Sequence, residues 1–393
     1  GDFHEGIGIF SKRAFDQQGD QWLRENIIGT GPFMLEQWVQ NQGITIGAVR
    51  DHWRKTPFVE RIRILEVPET STRRAMLETG EAQIANIALK DWPALLGRGF
   101  AKSPEGSLQE IAFVFGGNYW ETQQPRTGEA LQRTLDTTKP WVGDPKDPAS
   151  MERARKVRWA LSLAIDREGI NETIAAGQGR VSYLGNISDT DPVFQANANR
   201  WTVPYDPDQA RQMLQEAGYP EGFTLDFWVG PSGIEVEIFD AVAAGWLSEL
   251  NVQTNFDRQA YATFRPTRIN RTTSILSVFG GDAHLPSTWP NEWLYSAVAA
   301  PGGFNAGMEI PKATETVLAK ERTVDQAELE RITTDFYNYW YEQMLQPGVV
   351  ELPAYAIYNT NRIAEWQMRP GSTLLPNYLG GIRAPEWIRL TGP

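Results

Sequence analysis

The sequence contains no cysteine. A chain without thiols cannot build a disulfide framework, use a cysteine nucleophile or bind a metal through thiolates. Histidine is also scarce: His4, His52 and His284 lie far apart, and no pair has the H-E-x-x-H or H-x-x-x-H spacing of a zinc site. We therefore expect no metal site and no cofactor.

Positive charge and long apolar runs are scarce as well. The net charge is -12, from 37 Lys and Arg against 49 Asp and Glu, and no basic cluster stands out, so we expect no nucleic-acid partner. No stretch approaches the roughly 20 apolar residues that span a bilayer. Aromatic residues are abundant, with 15 Trp, 12 Tyr and 17 Phe. Most large rings fill cores, and the remainder can line a ligand cleft.

The N-terminal third of the chain reads as strands followed by a helix. Alternating polar and apolar residues predict strands at 33–38, 43–49 and 61–67. A short helix then begins at a cap supplied by Thr70 or Ser71 and stops at Gly80.

A polar segment divides the sequence. Residues 116–150 are rich in Pro, Gly, Thr and Gln, which predicts a long surface insertion or a crossing between lobes. We expect a partial first lobe over 1–150, a second lobe over 151–345, and a return of the chain to the first lobe over 346–393.

The second half alternates strands and helices. One predicted helix carries an apolar stripe of Val157, Leu161, Ala164 and Ile165, and another is capped by Asp206 with Pro207 in its first turn. Further along, we predict a strand at 223–229, a helix at 234–250 and a strand at 252–257. A single long helix is predicted at 311–341. The strand-helix-strand order predicts an α/β lobe with partly parallel pairing.

The G-T-G-P-F segment at 29–33 invites a phosphate-loop interpretation, which the surrounding residues exclude. It lacks the third glycine of a dinucleotide loop and the Gly-Lys-Ser/Thr ending of a P-loop. Pro32 leads into a predicted strand, so no helix N-terminus offers its amides to a phosphate. We expect a tight turn that feeds the strand.

The carboxylates of the sequence are compatible with a second function, that of a hydrolase. Asp282, Glu292 and Glu309 lie among aromatic and glycine-rich residues, and a glycosidase requires only two carboxylates across a cleft. A cleft hydrolase acting on glycans is therefore kept as an alternative function.

Four segments, in order, resemble the extracytoplasmic solute-binding proteins of ABC importers, in the class of dipeptide, oligopeptide and nickel binders. They are IIGTGPFMLEQWVQNQGITIGAVRDHW (27–53), VERIRILEVPETSTRRAMLETGEAQIANI (59–87), RKVRWALSLAIDREGI (155–170) and YDPDQARQMLQEAGYPEGFTLDF (205–227). The third is the most specific, because V-R-x-A-[LI]-x-x-A-I-D-R is close to a signature of the class.

The resemblance implies a two-lobe α/β architecture with mixed sheets, the type II periplasmic-binding-protein arrangement. It also implies a monomer without catalysis, periplasmic or extracellular and with or without a lipid anchor, that closes on a solute and delivers it to a membrane permease. Family members carry a substantial segment before the G-T-G-P block. Only 28 residues precede Gly29 here, so we expect the first lobe to be incomplete.

In peptide-binding members an Asp after a strand of the second lobe anchors the ligand's α-ammonium group. The matching residue is Asp282, after a predicted strand at 274–279. The resemblance and the neighbouring aromatic residues give a predicted ligand site of Phe279, Gly281, Asp282, Trp289, Trp293 and Asn305. His284-Leu285-Pro286 replaces the usual Asp-Pro, which keeps an oligosaccharide-binding member as an alternative, because the rings can also stack on sugars.

Overall fold

The computed structural model describes residues 11–104, 107–280, 286–298, 303–367 and 385–392. The chain forms two compact units. The first comprises residues 1–107 and 354–393, and the second comprises residues 108–353. These limits differ from the lobe limits expected at 150 and 345, because the polar segment 116–150 and residues 346–353 belong to the second unit.

Helices and strands alternate through most of the chain. The helices are α1 (Lys12–Glu25), α2 (Thr70–Thr79), α3 (Trp92–Leu96), α4 (Pro148–Leu163), α5 (Arg167–Thr173), α6 (Pro192–Trp201), α7 (Pro207–Glu216), α8 (Ile234–Leu250), α9 (Tyr261–Ile269), α10 (Pro311–Lys320) and α11 (Gln326–Gln343). The strands are β1 (Phe33–Val39), β2 (Gly43–Ala48), β3 (Arg61–Leu65), β4 (Ile84–Ala85), β5 (Phe100–Lys102), β6 (Ser107–Phe115), β7 (Arg180–Val181), β8 (Thr224–Trp228), β9 (Gln253–Asp257), β10 (Leu276–Val278), β11 (Gly348–Ala354), β12 (Ile357–Asn359), β13 (Ile363–Trp366) and β14 (Ile388–Leu390).

The first unit contains small antiparallel sheets. Strands β1, β2 and β3 form a meander, in which Ile44 pairs with Ile64 and Ile46 with Ile62. The other sheets are β4-β12-β5 and the pair β13-β14. A buried cluster in this unit consists of Val59, Ala356, Ile363, Trp366 and Ile388.

The second unit is built on a mixed six-stranded sheet. Its strand order is β7-β11-β6-β10-β8-β9. Strands β8, β9 and β10 are parallel, and β10 pairs antiparallel with β6. The rings of Phe227, Phe239 and Trp246 lie 5.5, 6.0 and 5.6 Å from the Phe113 ring and form the centre of its core. The predicted mixed α/β class and partly parallel pairing are confirmed.

The predicted strands at 33–38 and 43–49 and several helix signals agree with the structure. Helix α8 has the predicted bounds, and the Asp206 carboxylate accepts a hydrogen bond from the Gln209 amide at 2.9 Å as the cap of α7. Of the four apolar residues predicted for one helical stripe, Val157 and Leu161 lie in α4, whereas Ala164 and Ile165 follow its end; all four are buried. Proline in the first turn and a capping carboxylate thus set the start of α7 locally.

Two helix predictions were wrong. The segment predicted as one helix over 311–341 forms α10 and α11, because Asp325 caps a new helix by accepting from the Glu328 amide at 2.8 Å. The cap predicted at Thr70 or Ser71 is also incorrect. Both residues lie inside α2, and Glu69 occupies the capping position without a side-chain bond.

The polar segment 116–150 is partly interior rather than a surface insertion. The Trp120 indole donates to the Gly143 carbonyl at 2.9 Å, and the Trp141 indole donates to the Gly116 carbonyl at 3.0 Å. Both tryptophans are buried. The indole hydrogen bonds join the two ends of the segment, which the composition could not reveal. None of the described helices combines the length and apolarity required to cross a bilayer.

Candidate functional site

The candidate site is at the carboxyl end of strand β10 in the second unit. Open α/β sheets bind ligands beyond the carboxyl ends of their parallel strands, and β8, β9 and β10 are parallel. Phe279 directly follows β10. Its amide donates to the Ala112 carbonyl at 2.9 Å, and its carbonyl accepts from the Gln346 side chain at 3.0 Å. The backbone of Phe279 is therefore fixed on both sides.

Aromatic rings and one guanidinium surround Phe279. Its ring stacks on Phe304 at a centroid distance of 5.9 Å and meets Tyr295 edge-on at 6.0 Å. The guanidinium carbon of Arg268 lies 5.3 Å from the Phe279 ring centroid and 5.4 Å from that of Trp228. These contacts have the geometry of cation-π interactions.

Arg268 is buried, and among the described residues no carboxylate pairs with it. Its Nη2 donates to the Ser277 hydroxyl at 2.8 Å and to the Val278 carbonyl at 2.6 Å. Burial lowers the pKa of Arg268 to about 10, so the guanidinium stays charged at neutral pH. The strand end thus carries a positive charge inside an aromatic enclosure.

A polar network lies behind Phe279. The Asn186 side chain donates to the Gln346 amide oxygen at 3.3 Å and to the Tyr295 hydroxyl. The Asn186 amide donates to the Glu110 carboxylate at 2.8 Å, and the Tyr337 hydroxyl donates to the Asn186 carbonyl at 2.7 Å. Asn186 has a left-handed backbone, with φ of 62°, and connects several elements of the unit.

A second buried carboxylate, Glu351, stands on β11. It accepts a hydrogen bond from the Ser188 hydroxyl at 2.9 Å, and its other oxygen is buried without a partner among the described residues. Burial, reinforced by repulsion from Glu110, raises the pKa of Glu351 to about 8. Glu351 therefore holds its proton at neutral pH.

Gly280 is required where the chain leaves β10. A Cβ atom at this position would lie 1.7 Å from the Glu110 carbonyl oxygen, so no other residue fits without backbone movement. The next two residues, Gly281 and Asp282, were predicted to bind ligand and lie outside the described residues.

The remaining predicted residues differ in exposure. Trp289 is 49% exposed, whereas Phe279 and Trp293 are half-buried. Asn305 is fully buried. Its amide nitrogen donates to the Met308 carbonyl at 2.9 Å and its oxygen accepts from the Gly307 amide at 2.8 Å. The structure thus leaves Phe279 and Trp293 partly accessible and Trp289 exposed.

Of the three carboxylates on which the hydrolase alternative rests, Glu309 and Glu292 form buried ion pairs, and Asp282 lies outside the described residues. Glu309 is fully buried and binds Arg133 at 2.5 Å and Arg271 at 2.6 Å. Glu292 is also buried and binds Lys320 at 2.6 Å. A glycosidase needs its two carboxylates exposed to the substrate. The environments of Glu292 and Glu309 favour structural roles.

Metal binding was not expected, and across the described residues no cluster of three histidine, aspartate or glutamate side chains could hold a metal ion. Of the three histidines, His52 is described, and its Nε2 lies 2.9 Å from the Thr30 carbonyl.

Sequence reasoning missed Gln346, Asn186 and Arg268. Gln346 and Asn186 come from segments 160 residues apart and meet only in the folded sheet. No motif marks any of the three. A buried arginine in an aromatic enclosure is indistinguishable in sequence from a surface arginine, because burial is a tertiary property.

Comparison with known proteins relates the chain to a family of binding proteins. The family of bacterial extracellular solute-binding proteins, family 5 Middle, matches residues 2–301. The chain is 25% identical over 363 residues to the glutathione-binding protein GsiB of Salmonella paratyphi A, covering 88% of this chain and 63% of that relative. The chain thus spans less than two thirds of the length of this relative.

Solved structures show the same fold. A periplasmic binding protein, DppA from Helicobacter pylori in complex with the peptide STSA, has a TM-score of 0.72 at 16% identity and covers 97% of this chain and 68% of its own. The dipeptide-binding protein of Pseudoalteromonas sp. SM9913, in complex with Met-Leu, has a TM-score of 0.71 at 20% identity, covering 97% and 69%. The resemblance seen in the sequence is confirmed, and the chain belongs to the bacterial extracellular solute-binding proteins of family 5.

Proposed function

We propose that this chain is the solute-binding component of an ABC importer, which captures an oligopeptide or similar small solute outside the cytoplasm and delivers it to a membrane permease. Membership of the solute-binding family over residues 2–301 carries the proposal. A periplasmic or extracellular location and a permease partner follow from the same membership. The solute leaves chemically unchanged, and no catalysis is involved.

Peptide is the solute class that the observations favour. Phe279, Trp289 and Trp293 offer ring surface that can contact peptide side chains. Asp282 follows Gly280 by two residues and supplies a carboxylate for the α-ammonium group of a peptide. A charge-assisted hydrogen bond of this kind orients the ligand as well as binding it.

Asn305 has a different role in this proposal. Both ends of its side-chain amide are bonded to the backbone at Gly307 and Met308. We place it among the residues that shape the turn rather than among the ligand contacts. An oligosaccharide-binding protein remains the second candidate, since exposed Trp289 could equally stack on a sugar ring.

A ligand panel tests the proposal. The purified chain is screened by thermal shift with Met-Leu, glutathione, tetrapeptides and malto-oligosaccharides. Each ligand is recovered afterwards, and its mass is measured by mass spectrometry. We expect peptides to raise the melting temperature and to be recovered intact. Stabilisation by oligosaccharides alone would favour the second candidate. Recovery of cleaved ligand would contradict the proposal and favour the hydrolase alternative.

A further inference from the structure

The segment that carries Trp289 is held by a buried ammonium group. Lys320 is the last residue of α10, and 4% of it is exposed. Its Nζ donates to the Ser287 carbonyl at 2.7 Å, to the Trp289 carbonyl at 3.0 Å and to the Glu292 carboxylate at 2.6 Å. An ammonium group has three protons, and all three are used within six residues of one segment.

A second anchor holds the same segment from another helix. The Asp191 carboxylate, which caps α6, accepts from the Ser287 amide at 3.0 Å and from the Ser287 hydroxyl at 2.9 Å. The Thr333 hydroxyl of α11 also donates to the Ser287 carbonyl, at 3.3 Å. Ser287 is thus bonded from α6, α10 and α11.

The buried Lys320–Glu292 pair carries a desolvation cost, so it is a poor way to stabilise the fold. Because each charge loses hydration on burial, the pKa of Lys320 is lowered and that of Glu292 is raised. One Glu292 oxygen is also buried without a partner among the described residues. Replacing a buried ion pair by apolar residues of similar size is often neutral or stabilising. Positioning of the Ser287 and Trp289 carbonyls therefore explains this pair better than a gain in stability does.

We propose that Lys320 is a positioning residue for ligand recognition: by holding the carbonyls of Ser287 and Trp289, it fixes the exposed Trp289 indole as a contact surface for an apolar peptide side chain. The inference rests on the proposed function and deepens it. Trp289 is 49% exposed although its backbone is bonded to a buried residue. Because the backbone is held in this way, only the two side-chain torsions of the indole remain to be ordered when ligand binds.

Helix α10 supplies a matched control. Lys312 lies on the same helix, and its ammonium group pairs with the exposed Asp335 of α11 rather than with the Ser287 segment. Lys312→Met and Lys320→Met therefore make the same chemical change on one helix. A further variant, Lys320→Met with Glu292→Leu, removes both buried charges and separates the stability of the pair from the position of the indole.

Two measurements test the proposal. First, amide hydrogen exchange is followed in the unliganded protein: Lys320→Met should speed exchange at residues 287–296 by at least ~10-fold, and Lys312→Met should leave it unchanged. Secondly, Lys320→Met should weaken Met-Leu binding at least ~10-fold, and its effect should disappear in a Trp289→Ala background because both changes remove one contact.

The double variant makes the outcome decisive. We expect Lys320→Met with Glu292→Leu to recover melting temperature but not affinity for Met-Leu. Recovery of both would show that Lys320 acts only through stability and would overturn the proposal, as would unchanged exchange in Lys320→Met. If the wild-type chain bound no peptide of the panel, the proposed function would fail, and the exchange comparison would still decide whether Lys320 positions the segment.

Discussion

The indole nitrogen of Trp53 donates a 3.2 Å hydrogen bond to the carbonyl oxygen of Thr30. The same oxygen lies 2.9 Å from Nε2 of His52. Thr30 lies between the two glycines of the G-T-G-P segment, so the turn is held by two adjacent residues 22 and 23 positions further on. The segment is a structural turn that leads into β1, as its lack of phosphate-loop residues predicts.

This relationship predicts a stability effect at Trp53. Trp53→Phe keeps an aromatic ring but removes the donor, and we expect the free energy of unfolding to fall by about 0.5–1.5 kcal/mol. Trp38→Phe is the control, because Trp38 is similarly exposed, at 59% against 75%. Denaturant titration of both variants measures the difference. Equal free energies of unfolding for Trp53→Phe and Trp38→Phe would show that the Trp53 hydrogen bond does not stabilise the chain.

Glu351 predicts a pH dependence. Burial raises its pKa from the ordinary 4.5 to about 8 in the folded chain, so the folded state binds more protons than the unfolded state between these values. Stability from this group is present below pH 4.5 and is lost as the pH rises through about 8. Glu351→Gln should remove a loss on the order of a few kcal/mol between pH 5 and pH 9.

Thermal melting of the Glu351→Gln variant across this pH range provides the measurement. Glu330→Gln, at an exposed position of α11, serves as the control and should follow the wild-type curve. A Glu351→Gln curve parallel to the wild-type curve would show that Glu351 is ionised in the folded chain at neutral pH.

The ion pairs of Glu309 predict a large loss on truncation. Glu309→Ala leaves two arginines, Arg133 and Arg271, without their shared carboxylate in the interior, and we expect a loss of about 3–5 kcal/mol. Glu321→Ala breaks a surface pair with Arg126 and should cost less than about 1 kcal/mol. Similar losses for the two variants in urea titrations would contradict the structural role of Glu309.

Local signals predicted most of the elements, and tertiary contacts explain the failures. Asp206 and Pro207 specify the start of α7 within a few residues, so the sequence was sufficient there. The break between α10 and α11 depends on capping by Asp325, which competed with a continuous helical pattern. The pairing of Glu292 with Lys320 spans 28 residues and could not be inferred.

The same distinction applies to the candidate site. Phe279 was predicted as an aromatic residue close in sequence to Asp282, which is a local property. Gln346 reaches Phe279 because β6, β10 and β11 share one sheet, and Asn186 in turn bonds to Gln346; neither contact has a signature in the sequence. The family resemblance supplied the prediction of Asp282, which composition and spacing alone could not distinguish from Glu292 or Glu309.

The central claim is that the chain captures a peptide by its free amino terminus and leaves it intact. Titration calorimetry of Met-Leu and N-acetyl-Met-Leu against the wild-type chain and Asp282→Asn tests it most directly. We predict that wild type binds Met-Leu at least ~10-fold more tightly than the acetylated form, and that Asp282→Asn abolishes this preference. Equal affinity of wild type for the two peptides, or hydrolysis of Met-Leu during the titration, would contradict the claim.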